Sequence, residues 1–457
     1  MSIKLLFLTG ALIGMAEIIT ADFAFADHVC SDPTKPSCGS APPDTTGCKI
    51  FSNTTLTPGI YTGPVIEICA DGVTLDGNGA TIIDGQIVVP GRSNVTIKNF
   101  NFLVGNPAIF IQSGSSDIRI LNNSITAKPN GTIGIWVINS SNLIIDSNTI
   151  DLTAGLGSLG IQLVGPAFGD VFTNCRISNN RITLGGSDFA QADIGISLSD
   201  YSGGLPYTGG NIITGNEIIS TSSNNEDLGI EVATRSSANA VDSNRLTGIS
   251  RGIIIYGGDS CRIRYNEIEG RREPSANFTY ISGIEFQGGG LNNLVEGNRV
   301  RSFLGPGIKI AGAESTTVTL NTDSNNVFGL WGEGGLRGNK IFFNNFIDND
   351  TQGVNYSYTT DFWDNDSVCG GNYWSDFDDS LEGCVDADGN GICDSERVQA
   401  TATDTIIDRL PFVNRDGWLS PLIAKIQQAC IPFPNLRLVP IQSVYLPWPN
   451  TNEPYKL

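Results

Sequence analysis

Asp386, Asp388, Asn390 and Asp394 place oxygen-bearing side chains on alternate positions of the stretch VDADGNGICD. Counting Asp386 as position 1, Gly391 falls at position 6 and the backbone carbonyl of Ile392 at position 7, the order in which a calcium loop supplies its oxygens. Position 12 is Arg397, where a full EF-hand loop carries a bidentate glutamate. Glu396, or an acid of SDFDDS (Asp376, Asp378, Asp379), therefore has to complete the shell. Cys384 and Cys393 bracket the loop, and a disulfide between them would fix its ends. A solvated Asp- and Gly-rich turn is the plainer explanation. The spacing favours a structural Ca2+ clasp held by Asp386, Asp388, Asn390, Ile392 and Asp394.

Other chemistries fail for want of residues. The chain has one histidine, His28, and two methionines, Met1 and Met15, both inside the N-terminal leader. Copper sites are built from imidazole, thiolate and thioether, so little remains to bind copper. Ser–His–Asp and Cys–His nucleophilic systems fail on the same ground. The stretch NTD at Asn321 to Asp323 suggests a polygalacturonase-type site, but no histidine follows it. What survives is carboxylate, lysine, arginine and tyrosine chemistry, with Glu231, Glu285, Lys309 and Tyr256 as the candidates.

Those residues are positioned by a repeat. ILNNSI, IDSNTI, ISNNRI, ITGNEI, VDSNRL, IRYNEI, VEGNRV and FFNNFI share one frame, with asparagines at Asn123, Asn148, Asn180, Asn216, Asn244, Asn266, Asn298 and Asn345. Asn78 and Asn321 extend the series, and Phe100 fills the station between Asn78 and Asn123. Before each station comes a glycine followed by alternating apolar residues, as in GIWV, GIQL, GISL, GIEV, GIII, GIEF and GIKI. Period-2 alternation in short runs argues strand. One set of short strands per repeat, joined by Gly and Asn corners, describes a single-stranded parallel β-helix. Asn suits such a corner because it tolerates a left-handed backbone and bonds its counterpart on the next coil.

Stacking fixes the register. The residue after each Asn reads Arg181, Glu217, Arg245, Glu267 and Arg299 on successive coils, opposite charges alternating up one face. Cys175 and Cys261 occupy one station three coils apart, roughly 14 Å at about 4.8 Å per coil. A disulfide needs Cα atoms within about 7 Å, so both are expected as buried free thiols. Cys48 and Cys69, flanking the start of the first coil, are the expected N-terminal bridge.

On the strands the residue two after each glycine points outward. The resulting column is Phe110, Trp136, Gln162, Ser197, Glu231, Ile254, Glu285, Lys309, Trp331 and Asn355. Its mixed aromatic and polar character suits sugar rings, with Trp136 and Trp331 as stacking platforms. The simpler reading of Glu285 and Lys309 is a cross-strand ion pair.

GCKIFSNTTLT, ICADGVTLDGNGATI, the coils and the closing GGNYWSDFDDSLEGCVDADGNGICDS together resemble the NosD-like right-handed β-helix proteins of the pectin-lyase-like superfamily. The resemblance covers nearly the whole mature chain. It implies carbohydrate-acting enzymes, surface proteins, or a periplasmic factor of copper-enzyme maturation. As a polysaccharide lyase or related uronate-acting enzyme, the chain would use Lys309 as base and Glu285 as acid or metal ligand, with Glu231 or Tyr256 assisting.

Residues 1–26 carry a lysine, an apolar run and a terminal AFA, the pattern of a secretory leader. The expected plan is that leader, an N-terminal cap over 27–70, an all-β right-handed parallel β-helix over 71–360, a cysteine-containing calcium cap over 361–415, and a Pro-rich tail over 416–457. A net charge of −20 with 16% charged residues excludes a nucleic-acid binder. The expected partner is a polysaccharide or cell-surface glycan met outside the cytoplasm, and a non-catalytic scaffold is favoured because no catalytic cluster stands out.

Overall fold

The computed structural model describes residue 30, residues 34–40 and residues 47–419, apart from 106, 113, 130, 156, 166–172, 186–192, 201–208, 223–226, 233–236, 272–280, 335–337, 357–360, 366–369 and 401–404. The leader, His28, Cys369, Cys430 and the tail beyond 419 lie outside the described residues.

Three parallel sheets form the walls of the solenoid. Sheet A has 13 strands, from Cys48–Ile50 to Thr351–Asn355; sheet B has 12, from Thr54–Thr55 to Lys340–Phe342; sheet C has 13, from Ile60–Thr62 to Tyr373–Trp374. Every coil but the last contributes one strand to each sheet, so each strand pairs with its counterpart one coil away. The stack begins at Cys48, earlier than the expected start near residue 71, because the strands at Cys48–Ile50 and Val65–Ile68 already pair in parallel.

Inward residues of sheet A stack as Ile66, Ile87, Ile109, Ile135, Ile161, Ile196, Ile230, Ile253, Ile284, Ile308 and Leu330. All are buried. Full burial of such a side chain is worth about 1.5–3 kcal/mol, and repetition along the axis makes this stack the main cohesive force.

The leading glycines have a steric reason. A Cβ on Gly195 would stand 2.7 Å from the Gly229 carbonyl oxygen, and one on Gly229 would stand 2.8 Å from that of Gly252. The coils approach too closely there for a side chain.

Asparagine ladders run up the corners. In the main one the backbone N–H and side-chain amide of Asn123 both donate to Asn148 Oδ1, and Asn148 bonds Asn180 in the same way. The pattern continues through Asn216, Asn244, Asn266, Asn298, Asn321 and Asn344 to Asn372. Two assignments change. Asn344 occupies the station expected for Asn345, and Asn78 lies outside the ladder with a left-handed φ of 49°. The two roles expected of one residue are also divided: from Asn123 to Asn344 the residue preceding each station, such as Asn122, Ser147 or Tyr265, takes the left-handed backbone, while the ladder asparagine makes the bonds.

The ladder ends on a carboxylate. Asp408, from the antiparallel hairpin Arg397–Ala400 and Thr405–Asp408, accepts the Asn372 N–H at 2.7 Å and the Trp374 indole N–H at 2.8 Å. Arg397 lies over the Trp374 ring, 4.0 Å from its centroid, and pairs with Asp376 at 2.9 Å. The hairpin thereby caps the end of the solenoid.

Arg181, Glu217, Arg245, Glu267 and Arg299 stand in direct register on sheet C, with Glu217 bridging Arg181 and Arg245. Cys175 and Cys261 are free and buried, and burial pushes both thiols up to about 11. The N-terminal bridges differ from expectation. Cys30 joins Cys69 and Cys38 joins Cys48. Cys48 lies on the strand paired with Ile66, its side chain in the core, and is reached by Cys38, which runs alongside Lys49. Cys384 joins Cys393 across the acidic loop.

Candidate functional site

The outer face of sheet A brings together Trp136, Glu231, Glu285, Lys309 and Trp331 in one column. Register pairs Trp136 with Gln162, Ser197 with Glu231, Glu231 with Ile254, Ile254 with Glu285, Glu285 with Lys309, and Lys309 with Trp331. Trp331 next pairs with Val354, so Asn355 falls one position out of the column.

The column is not one open groove. Trp136 is 6% exposed and stacks on Phe110 with ring centroids 4.8 Å apart, so its ring serves packing and is closed to a ligand. Ile254 is 0% exposed and joins Leu159, Ile194 and Leu228 in a small apolar cluster on the outside of the sheet. That apolar layer closes the centre of the face. Period-2 parity assigns an outward direction but cannot reveal what lies over it.

A charge network continues from this layer. Glu285, 2% exposed, accepts a hydrogen bond from Ser282 at 2.8 Å and faces Arg251 at 3.8 Å and Lys309 at 3.4 Å. Lys309 also pairs with Glu333 at 2.9 Å. Burial works to lower the Lys309 pKa, but the carboxylates of Glu285 and Glu333 outweigh it, and the ammonium is held above its ordinary value. Burial raises Glu231, against a 2.8 Å hydrogen bond from Ser197 and the charge of Arg251. Burial likewise raises Tyr256, whose hydroxyl accepts from Arg251 at 3.4 Å. The network therefore holds its lysine charged and its tyrosine protonated, the opposite of what a general base requires.

The open end of the column is aromatic. The half-buried Trp331 packs edge-on against Phe328 with ring centroids 4.7 Å apart and at a tilt against Tyr356 with centroids 4.9 Å apart, and its indole N–H donates to Glu333 at 3.0 Å. Glu285, Lys309 and Glu333 thus form a relay that fixes the plane of the Trp331 ring. Arg251, Glu333 and Tyr356 were missed in the sequence. Glu333 was within reach, since it shares the outward parity of Trp331 two residues earlier. Arg251 was hidden because it precedes the glycine at which outward positions were counted.

The acidic loop lies apart, in the C-terminal cap. Asp386 accepts from the backbone N–H of Asn390 and of Gly391, both at 3.0 Å; Asp388 accepts from Asn390 N–H at 3.0 Å; and Asp394 accepts from Ala387 N–H at 2.8 Å. The carboxylates are thus turned onto the loop's own amides. As they stand they form no convergent group among the described residues, where Cys30, Glu67 and Cys69 are the grouping of potential ligands close enough together. The sulfurs of that pair are joined in a disulfide. The donor chemistry of the loop, all oxygen, still suits calcium. Three of the four acids considered for completing the shell are engaged elsewhere, Asp376 with Arg397, Asp378 with the Tyr373 hydroxyl, and Asp379 with the amides of Leu381 and Glu382, while Glu396 is exposed two residues beyond Asp394. Asn321 belongs to the ladder and Asp323 is buried in the core, bonded by Asn326, so NTD is structural.

Comparison with known proteins agrees with this architecture. Residues 66–270 match the family described as right handed beta helix region, and residues 172–379 match that described as periplasmic copper-binding protein (NosD). No curated protein matches. A mannuronic acid specific polysaccharide family 6 lyase enzyme from human gut microbiota superposes with a TM-score of 0.51 at 16% identity, covering 74% of this chain and 83% of that one. A PL6 alginate lyase solved with a trisaccharide gives a TM-score of 0.49 at 10% identity, covering 83% and 91%. The PL6 family polysaccharide lyase Pedsa3628 from Pseudopedobacter saltans gives 0.39 at 14%, covering 68% and 81%. At these identities the likeness is one of fold. Copper finds poor support in the residues: the segment 172–379 contains neither histidine nor methionine, and of its three cysteines Cys175 and Cys261 are buried thiols while Cys369 lies outside the described residues. The chain is a parallel β-helix protein with disulfide-bonded ends, right-handed by its match over residues 66–270 and NosD-like over residues 172–379.

Proposed function

We propose that this protein is an extracytoplasmic carbohydrate-binding scaffold that docks sugar rings on the Trp331 and Tyr356 platform without cleaving them. The observation that carries the reading is the relay from Glu285 through Lys309 and Glu333 to Trp331. It presents a half-buried aromatic ring in a fixed plane while holding the neighbouring lysine as an ammonium. Sugar rings lay their C–H faces on such rings, and carboxylates beside them accept hydroxyl donors. The polysaccharide-acting neighbours of similar fold support a glycan as partner. The disulfides support a location outside the cytoplasm, and no helix among the described residues is long and apolar enough to cross a membrane.

A lyase would need Lys309 as base, and its two carboxylate partners oppose that role. The test is a panel of oligosaccharides titrated against intrinsic tryptophan fluorescence. The reading expects a saturable change with at least one glycan, lost in Trp331→Ala. A Trp331→Ala protein that binds like the parent contradicts it. For the acidic loop we propose a structural Ca2+ site in which Asp386, Asp388, Asn390, Asp394 and the Ile392 carbonyl would hold the ion and tie the C-terminal cap together.

A further inference from the structure

We propose that the platform selects uncharged glycans over polyuronates, and that Glu333 sets this preference. The inference deepens the carbohydrate-binding reading and rests on it. Two cations, Arg251 and Lys309, face three carboxylates, Glu231, Glu285 and Glu333, among the described residues of this face. Both cations lie against Glu285, and Lys309 is bridged again by Glu333. Neither is free to receive a substrate carboxylate.

Exposure sharpens the argument. The side chain of Glu333 is 39% exposed, that of Lys309 16% and that of Glu285 2%. The charge that meets solvent beside Trp331 is therefore the carboxylate. It is anchored by Lys309 on one oxygen and by the indole N–H on the other, which sets it beside the Trp331 ring on which a sugar would stack. A ring bearing a hydroxymethyl group can donate a hydrogen bond there. A uronate at the same place brings a second anion that has nothing to donate. The chain's net charge of −20 adds long-range repulsion of the same sign. Specificity built from a repulsive group is a general device, and it sets this protein apart in ligand chemistry from the mannuronic acid specific lyase that shares its fold.

The experiment uses the full chain and matched pairs of oligosaccharides equal in length and linkage: glucan with glucuronan, mannan with mannuronan, galactan with galacturonan. Each pair differs only in a hydroxymethyl against a carboxylate. Affinities are measured by calorimetry at low and high salt, about 0.02 and 0.5 M. The expected result is that a neutral member binds and its uronate partner is at least about tenfold weaker at low salt, with the gap shrinking at high salt where like charges are screened. Glu333→Gln, which keeps a hydrogen-bonding group, narrows the ratio between the two members. A uronate that binds as tightly as its neutral partner at low salt overturns the inference while leaving carbohydrate binding intact, as does a ratio unmoved by Glu333→Gln in a protein whose melting temperature is unchanged. Failure of every pair, neutral and charged, removes the underlying reading and this inference with it.

Discussion

Lys309 Nζ stands 3.4 Å from Glu285 Oε1 across adjacent coils, and Glu285 is almost fully buried. The pair is a support for the neighbouring ring. Removing the lysine leaves a buried carboxylate with Arg251 and Ser282 alone, and orphaning a buried acceptor costs about 1–3 kcal/mol. Lys309→Ala is therefore expected to lower stability by that amount in denaturant unfolding, while Lys309→Arg recovers part of it. A Lys309→Ala protein as stable as the parent contradicts the network.

Gly195 tests the close approach of the coils. Its Cβ would meet the Gly229 carbonyl oxygen at 2.7 Å and the Ile218 side chain at 3.0 Å. Gly195→Ala is expected to destabilise by about 1–3 kcal/mol through overpacking. At an unstrained site the same change normally stabilises, by lowering the entropy of the unfolded chain. The sign of the effect, read from thermal unfolding, decides the matter.

Much of this architecture is legible in the sequence because a solenoid repeats its errors and its rules alike. The alternation Arg181, Glu217, Arg245, Glu267, Arg299 is sufficient to set the register of sheet C, and the spacing of Cys175 and Cys261 is sufficient to leave both unpaired. What fails is local or non-periodic. FFNNFI offers two asparagines for one station, and only the left-handed backbone at Phe343 assigns the ladder to Asn344. The partners of Cys48 and Cys69 lie in the cap, where no repeat fixes distance. Burial of Trp136 and Ile254 depends on a second layer over sheet A, which strand parity does not encode.

Asp408 should make the C-terminal cap sensitive to pH. Burial pushes its carboxyl up to about 7, against the pull of the Trp374 indole and the amides of Asn372 and Leu410. An unfolded carboxyl titrates near 3.9, so the folded protein binds the proton more tightly. The contribution is full below that value and is lost as pH rises through about 7. Stability is thus expected to fall across this interval, with Trp374 fluorescence following the same midpoint. In Asp408→Asn that titration should vanish. A midpoint unchanged in the variant assigns it to another group.

Calcium should act on the cap and spare the coils. Asp386, Asp388 and Asp394 supply the side-chain carboxylates of the proposed site, so added calcium is expected to raise the melting temperature by binding the folded cap, and Asp388→Ala to abolish the rise. A melting curve identical in excess chelator and in millimolar calcium contradicts the clasp.

Binding without turnover is the central claim, and prolonged incubation of the full chain with glycans it binds tests it most directly. Product analysis is expected to show no new unsaturated or reducing ends after many hours at saturating protein, while Trp331→Ala weakens binding by about tenfold or more, the scale on which a single buried aromatic anchor acts. Accumulation of cleaved product that disappears in Lys309→Ala would identify an enzyme and overturn the account.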